Sequence, residues 1–541
     1  MKNVLLAASE AVPFIKTGGL ADVIGSLPKY FDKKEYDVRV ILPKYACMDR
    51  SLLRGLKKSA ETEVCLNWRK QYAGVYQGEA DGIIYYFIDN EYYFSGPAPY
   101  DQIYLDAEKF AYFSKAVLTV LPLLDFCPDI IHCNDWQTGL IPVFLKTQFQ
   151  ADSFYRHIKT IFTIHNMRYQ GRWYMDAYRD ITGLPDSCFT MDTMECYGQA
   201  NPFKGGIVES DIITTVSESY AKEIQERDGG EGLDGLMRAR GCRLFGIING
   251  LDYSVYNPET DPLIAANFGV GNWQDQKKLN KKALQEQMEL GVRDDVFLIG
   301  MVSRMTDQKG FDLVAQKIEE IMKLQDVQLV LQGSGEEKYE SMLVSFSKKY
   351  QHRMAVRIGY SEELAHRIYA SADTFLMPSM FEPCGLSQLI SLRYGTVPIV
   401  RETGGLKDTI KPYQEGNQTG TGFSFTAYHA DDMMSVIRCA YHVYRNHREQ
   451  WNDVVLRGMQ QDYSWIKSAE KYAELYDMLV QIKSTEIEQE KVRQEAEKAA
   501  VLLRKKVDET LSQKSMGKKV EDSKPKKTAG KNKRSTSKKR K

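Results

Sequence analysis

The sequence has no CxxC pair: its nine cysteines stand singly at positions 47, 65, 127, 133, 188, 196, 242, 384 and 439. That scatter excludes a zinc ribbon and a regular disulfide framework, and it predicts a chain kept in a reducing cytoplasm. His132 and Cys133 of HCND lack metal-ligand spacing as well. No run of 18 apolar residues occurs, which argues against a membrane span. The short VLLAA stretch near Met1 runs into Ser9 and Glu10 with no cleavage-type ending, so no signal peptide is expected. There is no GxxxxGK followed by Ser or Thr, and no GxSxG, which removes a Walker loop and a serine elbow. QGSGEEKY has two glycines of a dinucleotide fingerprint but Lys338 at the third place, so an NAD enzyme loses ground. Net charge is absent too, 72 Lys and Arg against 72 Asp and Glu, yet it is unevenly spread. Val501 to Lys541 holds 16 basic and 4 acidic residues, a basic tail on an acidic body.

What is present is enough for large cores. Over 541 residues, 43% are hydrophobic and 11% aromatic, which predicts two or three globular domains. Short apolar runs (NVLLAA, DVRVILP, IIYYFID, DIIHCND, TIFTIHN, DIITTVS) alternate with helical stretches and predict a parallel α/β domain over 1–255. A polar connection over 256–295 follows. VFLIGMVSR, VQLVLQG, MAVRIGY, DTFLMPS and TVPIVRE then predict a second doubly wound domain over 296–455. A helix over 456–483 closes the compact part, and a charged helix over 484–511 carries an apolar stripe through Val492, Ala496, Ala499, Leu503 and Val507. Residues 512–541, rich in Lys, Ser, Gly and Pro, read as disordered.

Parallel sheets bind ligands at their strand C-termini, so the loops there are the places to search. In KTGGL, Gly18 and Gly19 let the backbone approach a ligand, the helix start favours an anion and Lys16 adds a mobile charge; the plainer alternative is a tight turn with a surface lysine. Arg304 and Lys309 of VSRMTDQKG suit a diphosphate clamp, or a solvated basic loop. Glu382, on the rigid turn before Pro383 and Gly385, suits sugar hydroxyls, or a helix-dipole charge. His165 and Asn166 of TIHN and Asp135 of HCND end two further strands.

KTGGLADV, HCNDWQTGL, TIHN, INGLD, SRMTDQKG, FEPCGLSQ and RETGGLKDT, in this order, resemble the bacterial and plant glycogen or starch synthases, retaining glucosyltransferases of the GT-B fold. The resemblance covers about Met1 to Val480. It implies two Rossmann-like domains facing a central cleft, and transfer of glucose from ADP-glucose or UDP-glucose to the non-reducing end of an α-1,4-glucan such as glycogen. It implies neither metal nor cofactor. Carried over, it puts Lys16, Arg304 and Lys309 on the diphosphate, with His165 and Glu382 facing the glucose and Asp135, Asn166 and Asn249 nearby. It stacks Tyr360 on the adenine, lines the pocket with Cys384, Gly385 and Leu386, and starts a helix beside it at Thr403 and Gly404. Ile390 stands where many other GT-B transferases have a second glutamate, and Met380 where relatives often have Arg. Two other readings stay open: a GT-B enzyme making another glycoside, and a nucleic-acid or glucan binder acting through the basic tail.

Overall fold

A computed structural model describes residues 1–416 and 419–521, with side chains described as far as Leu511. Met1 to Val480 form one compact unit, and the chain from Gln481 forms another.

The first part of the compact unit supplies β1 (Lys2–Ala7), β2 (Tyr36–Pro43), β3 (Lys57–Leu66), β4 (Arg69–Ala80), β5 (Ile83–Asp89), β6 (Ile130–Asn134) and β7 (Lys159–Ile164). It continues with β8 (Trp173–Tyr174), β9 (Glu195–Cys196), β10 (Gln199–Ala200), β11 (Ile212–Thr215) and β12 (Leu244–Gly246). Nine of these make one sheet in the order β12-β11-β7-β6-β1-β2-β5-β4-β3, while β8, β10 and β9 make a small separate one. From β12 to β5 every pairing is parallel. Every residue of β6 and β7 is buried, as helices on both faces require. β3 and β4 extend the edge as an antiparallel hairpin. Its turn has Asn67 in the left-handed region at φ 54°, a conformation Asn tolerates.

The second part supplies β13 (Phe297–Val302), β14 (Val327–Gly333), β15 (Met354–Ile358), β16 (Thr374–Met377), β17 (Val397–Arg401) and β18 (Phe423–Phe425). They form a wholly parallel sheet in the order β15-β14-β13-β16-β17-β18. Numbered along the chain this is 3-2-1-4-5-6, the order of a doubly wound dinucleotide-type sheet, and the parallel strands of the first sheet follow it as well.

The stretch 256–295 contains the helix Trp273–Gln287, which packs into the second core through Trp273 and Leu284. Its buried Lys281 is 2.6 Å from Asp373. Near the end of the compact unit the chain returns: Trp465, Tyr472, Tyr476 and Leu479 belong to the core of the first sheet, and Tyr476 Oη lies 2.9 Å from Nδ1 of the buried His132. The helix that begins at Trp465 runs without interruption to Glu521, so the charged stretch 484–511 continues it. Of the segment expected to be disordered, 512–521 is helical backbone and 522–541 lies outside the described residues. Among the described residues no helix is long and apolar enough to cross a membrane.

Candidate active site

In each sheet the strand order reverses beside the first strand, between β1 and β6 and between β13 and β16. A crevice opens at the carboxyl ends of such strands, and ligands enter there. Lys16 follows β1, Asp135 follows β6, Arg304 and Lys309 follow β13, and Glu382 follows β16. His165 and Asn166 follow the neighbouring β7, and Tyr360 follows β15.

In the first sheet the KTGGL loop is pinned from below. Glu10 is buried, and its carboxylate accepts hydrogen bonds from the Thr17 N–H, from Thr17 Oγ1 at 2.9 Å, from the Gly18 N–H at 3.3 Å and from Tyr100 Oη at 3.0 Å. Burial pushes this carboxyl up against the pull of those bonds. The Thr17 and Gly18 N–H groups are thereby committed to Glu10. Nothing lies within 4 Å of where a Cβ would stand on Gly18 or Gly19, so the loop faces open space. The Lys16 ammonium is 2.7 Å from Asp22. Burial works against its charge, but Asp22, helped by Tyr360 and Glu362 from the segment after β15, holds it above the usual lysine range.

Asp135 has φ 55° and ψ −177°, a backbone region almost reserved for glycine and costing about 1–3 kcal/mol for other residues. Backbone strain of this kind clusters at active sites and ligand clamps. The Asp135 Oδ1 accepts the His165 N–H at 2.8 Å, and burial pushes the carboxyl up to about 7. Burial takes His165 down to about 3, so its ring is neutral. Its Nε2 lies 2.9 Å from Asn134 Oδ1, whose amide nitrogen donates to the Ala7 carbonyl at 3.2 Å. An amide oxygen only accepts, so the His165 proton sits on Nε2 and Nδ1 is an acceptor.

In the second sheet a close backbone approach brings the charges together. Gly310 has φ 76°, and a Cβ there would meet the Pro378 carbonyl at 2.1 Å, so glycine lets the loop after β13 press against the turn after β16. The result is a salt bridge of 2.6 Å between Lys309 and the buried Glu382, whose same oxygen accepts Ser379 Oγ at 3.0 Å. Arg401 braces this turn by donating to the Met380 carbonyl at 2.5 Å. The Arg304 side chain is exposed and, among the described residues, makes no hydrogen bond or ion pair. Tyr360 is 65% exposed, leaving its ring face available. Cys384 is buried within the first core, and burial pushes its thiol up to about 12. Gly385 has φ 75°, and Leu386 packs at the edge of the second core.

The second TGGL lies at the contact between the two sheets' domains. Thr403 precedes the helix Gly404–Thr409, and the Gly404 N–H donates to Glu223 Oε1 at 2.7 Å while Thr403 Oγ1 donates to Oε2 at 3.2 Å. Beside it Ser217 Oγ donates to the Pro383 carbonyl at 2.7 Å, and Ser219 N–H to Asp408 at 2.8 Å. Asn249, buried after β12, has an Oδ1 with no hydrogen-bond partner among the described residues.

The structure therefore joins Asp135 to His165 and Lys309 to Glu382. Arg304 and Tyr360 stand apart from those pairs, and Lys16 is engaged by Asp22. Glu10, Asn134, Glu223 and Ser379 were not singled out in the sequence. Glu10 had one usable signal, an acidic residue in the loop after the first strand; Glu223 sits in an ordinary charged helix and had none.

A family profile described as "Starch synthase catalytic domain" matches residues 3–239, and one described as "Glycosyl transferases group 1" matches 270–453. The glycogen synthase of Lachnospira eligens is 57% identical over 479 residues, covering 88% of this chain and 100% of that protein. That of Geobacillus stearothermophilus is 49% identical, covering 88% and 98%. This chain thus carries a segment that neither possesses. Among solved structures, the catalytic domain of starch synthase IV from Arabidopsis thaliana, bound to ADP and acarbose, superposes with a TM-score of 0.83 at 32% identity, covering 89% of this chain and 99% of that one. A sucrose-phosphate synthase from Thermosynechococcus elongatus, at TM-score 0.55 and 15% identity, shares the fold.

Proposed function

Because this chain belongs to the glycogen (starch) synthase family of GT-B glycosyltransferases, we propose that it transfers glucose from ADP-glucose to the non-reducing end of an α-1,4-glucan, with retention of configuration. The observation that carries this reading is the Lys309–Glu382 salt bridge at the switch point of the second sheet, with the unpaired Arg304 on the same loop. The ADP held by the Arabidopsis relative supports the adenine donor, and the exposed Tyr360 ring supports stacking on the base.

The hard step is breaking the anomeric C–O bond while negative charge grows on the diphosphate. Arg304 and Lys309 from one side and Lys16 from the other neutralise that charge, and fixed charges aimed at a developing anion are the largest source of rate enhancement. The acceptor hydroxyl attacks the anomeric carbon on the face that the diphosphate leaves, and its proton passes to the departing phosphate oxygen. Glu382 and the neutral His165 orient the sugar and stabilise its developing positive charge; Asn249 Oδ1 accepts a sugar hydroxyl. Closure of the domains on the donor excludes water, which would otherwise compete with the glucan.

Residues 1–255 then hold the acceptor side and 296–455 the nucleotide sugar. The test is synthesis on a glycogen primer with each donor: ADP-glucose is used in preference to UDP-glucose. The reverse preference would overturn the donor assignment, and no glucan product from either would overturn the reaction.

A further inference from the structure

Beyond the compact unit the chain continues as a helix as far as Glu521, past the end of both family matches. Val492, Ala496, Ala499, Leu503, Val507 and Leu511 follow each other at steps of four or three residues, which puts them on one face. That face is open to water: Val492 is 63% exposed and Leu503 66%. The 4-3-4 spacing is that of a coiled-coil seam, and the four-residue steps toward Leu511 loosen its winding.

We infer that this helix pairs antiparallel with the same helix of a second copy of the chain. Two complementarities select that partner and that direction. Turned end for end about a two-fold axis near Val501, the stripe sets Val492 against Leu511, Ala496 against Val507 and Ala499 against Leu503. Small residues thus meet larger ones, and a two-fold interface is self-complementary. On the flanks, a two-fold axis between Ala500 and Val501, about one position away from that of the stripe, sets Arg493 against Asp508, Glu495 against Lys506 and Glu497 against Arg504, each pair opposite in sign. Flanking charges decide partner and orientation in such assemblies. Within one helix Arg493 lies 3.3 Å from Glu497, an exposed pair that contributes little and is free to exchange partners.

Sedimentation equilibrium of the full chain at micromolar concentration tests this. The expected mass is twice 61.9 kDa. Leu503→Glu with Val507→Glu gives monomers, while circular dichroism and glucan synthesis on a short acceptor stay as in the parent. Glu495→Lys with Glu497→Lys weakens the dimer at least tenfold, and adding Arg504→Glu with Lys506→Glu restores it. A monomeric parent, or a dimer that survives the two stripe substitutions, overturns the inference. Failure of the second charge pair to restore the dimer overturns the antiparallel arrangement.

Discussion

Removing the Lys309 ammonium strips Glu382 of its only cationic partner among the described residues. At 2.6 Å the pair attracts by about 6 kcal/mol at an effective dielectric of about 20, most of it offset by the cost of taking both groups out of water. Breaking such a pair from one side is different, because the carboxylate stays buried with Ser379 alone to hold it. Loss of one partner then costs about 3–5 kcal/mol. For a domain of this size that is a fall in melting temperature of about 6–20 °C. Lys309→Met should therefore melt well below the parent in a thermal unfolding scan and also lose about a hundred- to a thousandfold in turnover. Adding Glu382→Gln removes the stranded charge, keeps an acceptor for Ser379 and returns most of the stability, yet turnover stays low because the diphosphate has still lost its lysine. A single variant that melts within about 2 °C of the parent, or a double variant that recovers both properties together, would refute the reasoning.

Arg304→Ala, in which no partner among the described residues is lost, should leave the melting temperature unchanged and lower turnover at saturating donor by about a hundred- to a thousandfold; normal turnover would remove it from the diphosphate. Glu10→Gln keeps the shape but leaves one acceptor oxygen where two now serve the Thr17 and Gly18 N–H groups on one side and the Thr17 and Tyr100 hydroxyls on the other, so the KM for donor should rise roughly tenfold, which initial-rate kinetics would detect. Asp135, pushed up to about 7, binds a proton in the folded chain over a range where the unfolded chain has released it. Stability should therefore fall as pH rises from about 4 through about 7, and Asp135→Asn should flatten that part of a melting-temperature profile; parallel profiles would count against it.

The doubly wound sheets were legible because their strands are short, apolar and buried on both faces, a pattern that leaves few alternatives. The β3–β4 hairpin was missed for the converse reason: KKSAETEVCL is exposed at most of its positions, and no continuous apolar run announces it. At the site, Lys16, Arg304, Lys309 and Glu382 could be named because each stands in a loop at a strand end. That Lys309 meets Glu382 depends on the approach of Gly310 to Pro378, which is a property of packing between two loops 68 residues apart.

The two TGGL segments show where local sequence stops being informative. Each offers a threonine and glycine N–H or O–H cluster suited to an anion, and each is met by a glutamate carboxylate: Glu10 at the first, Glu223 at the second. The first partner lies in the same loop; the second is brought across by the contact between helix Glu218–Glu223 and helix Gly404–Thr409. With the Thr17 and Gly18 N–H groups spent on Glu10, the anion recognition proposed for the first loop rests on the Lys16 ammonium. Its exchangeable partner, Asp22, can yield to a diphosphate at the expense of one partly exposed ion pair. Glu10 cannot be displaced so readily, since leaving it buried without those donors costs more than the exchange returns. The glycine pair thus shapes the loop, and the lysine before it carries the charge.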